Sequence, residues 1–161
     1  MKYKKLNNIM LHTIAKGSDE EINFYKELIK DDTINYRVHG LSGLTLSTNK
    51  YPFLGRAFLT SLNDHLFGYI HIGNYNKEEK AVYLKVAIHK NNRGLGYGKL
   101  LLEEITDYIF LNYEEIESIK LKIERDNLAS INTANACGYK WLIDDFYVKY
   151  NPNLNKDVKR I

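Results

Sequence analysis

Apolar residues first recur at helical spacing after Ser18, at Ile22, Tyr25, Leu28 and Ile29. Ser18 is a typical N-cap residue, and the acidic residues that follow it favour the first turn of a helix. The pattern therefore predicts an early amphipathic helix. The next stretch, residues 33–56, follows neither period and contains Gly40, Gly43 and Pro52, so we interpret it as a short helix with loops.

The period changes from helix to strand near residue 57. Runs rich in apolar, β-branched and aromatic residues predict strands over 57–62, His65–Ile72 and Ala81–Ile88. A turn cluster separates the last two runs, so we predict an antiparallel meander. A polar, glycine-rich loop over 91–98 follows, and the apolar residues beyond it predict a helix over 99–112.

The last third of the chain combines strands with one short helix. Strict alternation predicts a strand over 118–123. Residues 130–137 predict a short helix that stops at Gly138, a residue typical of helix C-termini. The chain closes with two predicted strands, 139–142 and Phe146–Tyr150. No repeat, low-complexity tract or linker interrupts this order, so we predict one α/β domain with a mixed sheet over residues 1–161.

The glycine-rich loop has the composition of a phosphate-binding site. Its central residues are Arg93, Gly94, Leu95, Gly96, Tyr97, Gly98 and Lys99. Glycines allow positive φ and leave no Cβ between the backbone and a ligand. The helix that follows adds the positive end of its dipole, and Arg93 and Lys99 can add formal charge at the rim. The structural alternative is a tight loop that does no more than join strand to helix.

The spacing of the glycines separates the known kinds of phosphate loop. A Walker A loop requires Ser or Thr after Gly-Lys, but Leu100 follows Lys99. A dinucleotide loop requires G-x-G-x-x-G, and neither glycine pair has a third glycine at that distance. The pattern R-x-x-G-x-G does fit, with Arg93, Gly96 and Gly98.

This loop, set between a strand and an apolar-faced helix, resembles motif A of the GNAT superfamily of N-acetyltransferases. A second segment resembles motif B of the same superfamily. There, Asn127 is followed three places later by Ser130, and a predicted helix then ends at Gly138 and Tyr139. The resemblance covers about residues 67–148 and is nearer the branch that acetylates the N-termini of ribosomal proteins.

The resemblance implies a mostly antiparallel sheet flanked by helices, with splayed central strands. It implies acetyl-CoA as the donor, and it assigns the backbone of Val86, Ala87 and Ile88 to the pantetheine arm. Residues 94–99 hold the pyrophosphate, and Asn127 and Ser130 contact the pantetheine. The acceptor implied is an amine, either a small molecule or a peptide or protein N-terminus. Pairing of two copies into a homodimer is common in the family.

The proton-transfer residues are the part of the resemblance that this chain matches least. Many members place a Tyr seven residues after the motif B Asn, and Ala134 stands there. Ser130 is the alternative acid for the thiol, although it is also a suitable helix N-cap. No carboxylate lies within Ala81–Ile88, so the candidate bases are His71, Tyr83 and Asp145. Each candidate base also has a structural interpretation, as an exposed strand residue or as part of a turn.

Composition excludes several other classes of protein. The net charge of +3 is small, which argues against a nucleic-acid partner. One cysteine, Cys137, and scattered histidines predict no metal site, and we interpret Cys137 as a small buried residue. We interpret the basic stretches Lys2–Lys5 and 156–160 as solubilising ends. The absence of a secretory signal and of a long apolar run predicts a cytoplasmic protein without a membrane partner.

Three functions therefore remain open. The first is an acetyl-CoA-dependent N-acetyltransferase that transfers the acetyl group directly to an amine. The second is an acyl-CoA-binding module of the same fold that has lost catalysis, which the place of Ala134 favours slightly. The third is a nucleotide-binding protein of another fold.

Overall fold

The computed structural model describes residues 1–14, 17–31 and 53–154. Its strands are β1 (Lys2–Lys5), β2 (Ile9–Thr13), β3 (Arg56–Leu62), β4 (His65–Ile72), β5 (Ala81–Ile88), β6 (Ser118–Lys122), β7 (Lys140–Ile143) and β8 (Phe146–Tyr150). Its helices are α1 (Asp19–Lys30), α2 (Tyr97–Asn112) and α3 (Leu128–Ala136), with a 3₁₀ turn at Lys90–Asn92. The described strands form one sheet in the order β1-β2-β3-β4-β5-β6-β8-β7. Only the β5–β6 pair is parallel within it, which confirms the mixed, mostly antiparallel sheet.

The N-terminal strands are the part of the sheet that the sequence analysis missed. Lys2–Lys5, which we interpreted as a solubilising end, forms the edge strand β1, so that interpretation was wrong. Its lysines remain largely exposed, as is usual on an edge strand, while Tyr3 stacks on Phe58 with ring centroids 5.0 Å apart. Strand β2 then pairs with β3. Residues 33–52 and the basic stretch 156–160 lie outside the described residues.

The helix boundaries follow their caps. The predicted N-cap Ser18 is confirmed: its hydroxyl accepts from the backbone N–H of Glu21, whose carboxylate accepts from the N–H of Ser18. Helix α2 begins two residues earlier than predicted, because Gly96 in the left-handed region acts as its N-cap. Helix α3 also begins two residues early. Asn127 is its N-cap, so the interpretation of Ser130 as the cap was wrong.

The helices divide between the two faces of the sheet. Leu101 and Ile105 of α2 and Ala134 of α3 belong to the larger core cluster on one face. Leu28 of α1 packs with Tyr69 and other residues on the opposite face. The central strands are therefore buried between helices on both faces, which is the usual arrangement around a parallel strand pair.

Strand β5 has two unequal neighbours. It pairs with β4 as far as Ile88, but the register with β6 ends at Leu84, opposite Leu121. Strand β6 continues instead beside β8, and the N–H of Ile123 donates to the carbonyl of Asp145. The central strands therefore diverge over the last half of β5, which confirms the predicted splay.

Gly68 allows the diverging end of β5 to stay against β4. A Cβ at this position would lie 2.6 Å from the carbonyl oxygen of Ala87 and 3.1 Å from the side chain of Ile88. Contacts between a Cβ and a backbone oxygen are not made at such a distance, so the two strands would have to separate. The close approach of β4 to β5 therefore depends on glycine here.

We predict that Gly68→Ala lowers the free energy of unfolding by about 2 kcal/mol, because the methyl group forces the backbones apart in a packed sheet. Urea denaturation followed by circular dichroism measures this change. A loss below about 0.5 kcal/mol, within the range of neutral surface substitutions, would show that β4 and β5 tolerate the separation.

Candidate active site

The divergence of β5 and β6 opens a cleft of about 520 Å³ in the middle of the sheet. One wall is the end of β5, and the opposite wall is the segment from Leu121 to Asn127 with the first turns of α3. The loop before α2 closes one end. A volume of this size is typical of a site for a small molecule or a cofactor.

The loop before α2 presents backbone N–H groups to this cleft. Gly94 and Gly96 have φ angles of 74° and 86°, in the left-handed region that glycine adopts without strain. Helix α2 has no side-chain cap, and its first backbone bond runs from Leu100 N–H to the carbonyl of Gly96. The N–H groups of Tyr97, Gly98 and Lys99 therefore have no intrahelical acceptor. Together with the helix dipole they form an anion site.

Side chains support the loop from behind. The ring of Tyr97 stacks on Phe67 of β4, with centroids 4.5 Å apart. The guanidinium of Arg93 donates to the carbonyl of Ile88 and to the Asp31 carboxylate, each at 3.0 Å. Lys99 lies 3.9 Å from Glu103 on the helix surface. Much of the formal charge expected at the rim is thus already engaged with protein groups.

The backbone of β5 offers its hydrogen-bonding groups to the cleft at alternate residues. His89 N–H donates to the Phe67 carbonyl (2.9 Å), and Gly73 N–H donates to the Tyr83 carbonyl (2.8 Å). Because antiparallel pairs alternate, the N–H and C=O of Ala87 also face β4, whereas those of Val86 face the cleft. Val86 is therefore the residue of this strand that is best oriented to bond a ligand through its backbone.

Helix α3 contributes polar side chains to the opposite wall. Asn127, Ser130 and Thr133 all line the cleft, the last two because residues three apart share a helix face. The Asn127 Oδ1 accepts from the N–H of Ser130 at 3.3 Å. Ala134, where many relatives place a Tyr, is 1% exposed in the core. Sequence reasoning missed Thr133, although its spacing from Ser130 was a usable signal.

The comparison with protein families shows which family the chain belongs to. A model of the Acetyltransferase (GNAT) family matches residues 22–139, most of the chain. The chain belongs to the GNAT acetyltransferase family. No match to it is found among the curated proteins.

Solved structures share the fold of this GNAT chain at low sequence identity. A GNAT acetyltransferase from Bacillus anthracis is 12% identical, with a TM-score of 0.66 and 91% of this chain and 97% of that chain covered. RimL, a ribosomal L7/L12 alpha-N-protein acetyltransferase solved with coenzyme A, is 12% identical, with a TM-score of 0.64 and 93% and 98% covered. The N-acetyltransferase PseH of Campylobacter jejuni, solved with acetyl coenzyme A, is 18% identical, with a TM-score of 0.60 and 88% and 96% covered.

The residues that we predicted to hold the donor in this GNAT chain line one cleft, with a single exception. Leu95 does not line the cleft and is 68% exposed. The loop glycines, Val86, Ala87 and Ile88 of β5, and Asn127 and Ser130 of α3 all border the same space. The backbone groups of Ala87 face β4 instead of the cleft, and the contacts of the other residues with a donor remain predictions.

The predicted bases of this GNAT chain lie outside the cleft. His71 stands on β4 opposite Lys85, and burial, assisted by the Lys85 charge, lowers its pKa. The Tyr83 hydroxyl donates to Glu79 where β5 and β6 are still paired, and burial is the main cause that raises its pKa. Asp145 lies in the turn between β7 and β8, 3.6 Å from Arg125.

Glu124 is a cleft residue that sequence reasoning missed. It lies two residues beyond the end of β6 and is the one carboxylate among the described residues that line the cleft. Lys85 and Lys122 line the same space. The signal for Glu124 was present in the motif B segment, three places before Asn127, but nothing in the sequence showed on which wall it would lie.

The remaining chemistry-bearing side chains belong to the core. Burial is the first cause that raises the pKa of the Cys137 thiol, to about 11, which agrees with a structural role. His12 lies between Glu21 (3.1 Å) and Ser61 (2.6 Å), in the order of a catalytic triad, but Ser61 is 1% exposed and no substrate reaches it. Within the described residues no group of His, Cys, Asp and Glu could hold a metal ion. None of the described helices is both long and apolar enough to cross a membrane.

We predict that Gly96→Ala and Gly98→Ala affect the protein alone in different ways. Gly96 has a positive φ, so the methyl group costs about 1 kcal/mol of stability although the space around it is open. Gly98 lies in α2, and its added Cβ would make an ordinary contact at 3.6 Å with Ile88. Urea denaturation should therefore leave Gly98→Ala within about 0.5 kcal/mol of the wild type. Equal losses for both variants would contradict the loop geometry.

Proposed function

We propose that this protein is an acetyl-CoA-dependent N-acetyltransferase that transfers the acetyl group directly to an amine. The observation that supports this most is the cleft between the diverging β5 and β6, which ends at the N-terminus of α2, where no side chain caps the helix. An elongated donor with a diphosphate at one point of its length fits such a cleft. The relatives solved with coenzyme A or acetyl coenzyme A support the same assignment.

In this proposal the loop and β5 bind the two chemically distinct parts of the donor. The N–H groups of residues 94–99 bind the pyrophosphate, because they lie at the positive end of a helix dipole and those of Tyr97, Gly98 and Lys99 have no intrahelical acceptor. The N–H and C=O of Val86 pair with the amides of the pantetheine arm, much as another strand would. Asn127 and Ser130 contact that arm from α3.

The reaction needs proton transfers at the nitrogen and at the sulfur, and stabilisation of an oxyanion between them. An alkylammonium has a pKa near 10.4, so the acceptor must first lose a proton before its nitrogen attacks the thioester carbon. The C–N bond then forms, and a backbone N–H of β5 stabilises the oxyanion. When the C–S bond breaks, the thiolate of CoA takes a proton and the acetylated nitrogen gives up its second proton, so the products are a neutral amide and a free thiol. Ser130 and Thr133 are the hydroxyls that line the cleft on that side.

Glu124 is the residue that we propose as the proton acceptor for the incoming amine. It lies in the cleft wall, whereas the predicted bases His71 and Tyr83 do not line the cleft. A carboxylate can act as the base through a water molecule when the site also binds the neutral form of the amine. His71 and Tyr83 stay predictions, as does a homodimer.

The acceptor class proposed is a primary amine, on a small molecule or at a peptide N-terminus. One similar structure is named as a ribosomal alpha-N-protein acetyltransferase and another as a spermidine N-acetyltransferase. These names support a protein N-terminus and a small molecule, respectively, as acceptors. The proposal therefore predicts that acetyl-CoA incubated with this protein releases free thiol when a suitable amine is present. A panel of polyamines, amino sugars and peptides with free N-termini, followed by a thiol-reactive dye, measures this release.

Two controls separate the alternatives. Gly96→Val should abolish CoA binding in isothermal titration calorimetry, whereas Gly138→Ala, at another positive φ of 88° outside the cleft, should retain it. CoA binding by the wild type with no amine-dependent thiol release would favour the acyl-CoA-binding module. Failure of the wild type to bind CoA would overturn the assignment of the loop.

We predict that Ser130→Ala lowers kcat by about 100-fold, the lower end of what a general acid contributes, because the departing thiolate loses its proton donor. CoA affinity measured by calorimetry should change much less than kcat. Thr133→Val, three residues along the same helix face, is the matched variant and should retain most activity. The reverse result, a large loss for Thr133→Val alone, would transfer the role to Thr133.

A further inference from the structure

Helix α1 lies on the face of the sheet opposite α2 and directs a row of side chains towards the glycine-rich loop before α2, here called the phosphate loop. Phe24, Glu27 and Asp31 follow at helical spacing along one side of α1 and its C-cap. Phe24 stacks on His89 with centroids 5.2 Å apart, and Glu27 contacts the same imidazole at 2.9 Å. The row therefore meets the chain where β5 ends and the loop begins.

Arg93 is the point at which this row reaches the loop itself. Its Nε donates to the Ile88 carbonyl, five residues back, and its Nη2 donates to Asp31 Oδ2. The bond to Ile88 links the residue before the loop glycines to the end of β5, and the bond to Asp31 links the same residue to the end of α1. The Arg93 side chain thus holds the turn that precedes Gly94 at two points.

His89 adds a second link to α1. Its Nδ1 accepts from the backbone N–H of Asn91 at 3.1 Å. In the neutral ring the proton then lies on Nε2, which donates to the Glu27 carboxylate. The 3₁₀ turn at Lys90–Asn92 and Arg93 are therefore both held by carboxylates of α1.

The place of Asp31 is informative because a carboxylate is unfavourable there. Asp31 is the C-cap of α1, at the negative end of the helix dipole. Its carboxylate is half of an ion pair with Arg93, and its side chain is only 16% exposed. If the pair had no function, a neutral residue would suit this helix end better.

We infer that Asp31 is a positioning residue for the acyl-CoA site, which it serves by holding Arg93 and hence the phosphate loop in its binding geometry. The inference rests on the proposed function. Glycines give a loop many conformations, so a loop held before binding loses less entropy when the pyrophosphate arrives. Arg93 then acts through the loop backbone and not as a direct phosphate ligand.

A double-mutant cycle of Asp31→Asn and Arg93→Gln tests this inference by CoA calorimetry. We expect each single variant to weaken CoA binding about fivefold, the factor that corresponds to about 1 kcal/mol, and the double variant to be no weaker than either. The kcat at saturating acetyl-CoA should not change, so the effect appears in KM. Unfolding in urea, measured in parallel, separates loss of loop order from loss of fold.

Glu20→Gln and Lys90→Gln are the matched controls. Glu20→Gln removes a negative charge from an exposed side chain of α1 and so matches Asp31→Asn. Lys90→Gln removes a positive charge from an exposed side chain next to the loop and so matches Arg93→Gln. Both variants should bind CoA like the wild type. If Arg93→Gln weakens CoA while Asp31→Asn leaves or tightens it, Arg93 contacts the phosphate directly and the inference is wrong. Unchanged affinity in both single variants also overturns it. Failure of the wild type to bind CoA would instead contradict the proposed function.

Discussion

The unequal pairing of β5 is the constraint on which the rest of this structure depends. Beyond Leu84 the strand keeps β4 as a neighbour but loses β6, so backbone N–H and C=O groups face an open cleft inside the sheet. Buried backbone groups require partners, and here water or a ligand must supply them. The backbone groups available to a ligand are therefore concentrated where β5 and β6 diverge.

The structure holds this open arrangement from both sides. Gly68 lets β4 approach the backbone of Ala87. On the other side, β6 pairs with β8, and the bond from Ile123 N–H to the Asp145 carbonyl continues that pairing beyond both strands. At the mouth of the cleft, the loop relies on backbone donors and a helix dipole, while Arg93 is bonded to Ile88 and Asp31. In the proposed function, binding of the donor is thus mainly a property of the backbone. The proton transfer that we propose depends, in contrast, on a few side chains of α3 and of the segment after β6.

Local signals predicted the elements that carry the donor site. The glycine spacing around Gly96 and the Asn127–Ser130 pair indicated the family, because backbone conformation and helix caps are encoded over a few residues. Strand β1 was missed because its lysines resemble a charged tail, and the edge position that accounts for them is a tertiary property. The placement of Ser130 inside α3 depended on whether Asn127 or Ser130 took the cap, a choice between two good capping residues.

The wall residues could not be predicted from sequence in the same way. Glu124 and Thr133 face the cleft because β6 diverges from β5 and α3 packs beside it. The local sequence pattern predicts neither of these two arrangements. His71 and Tyr83 are candidate bases on two neighbouring strands, β4 and β5. The register, however, places His71 one strand away from the cleft and Tyr83 in its paired half. Residue type suggested the chemistry, whereas the tertiary register determines which residues line the cleft.

The most direct measurement is a titration of isotope-labelled protein with CoA, followed by the backbone amide resonances in nuclear magnetic resonance spectra. The account predicts the largest shifts at the amides of residues 94–99 and at Val86, with much smaller changes at Ala87, whose amide faces β4. Shifts concentrated elsewhere, with the loop amides unchanged at saturating CoA, would contradict the claim that this cleft binds the acyl donor.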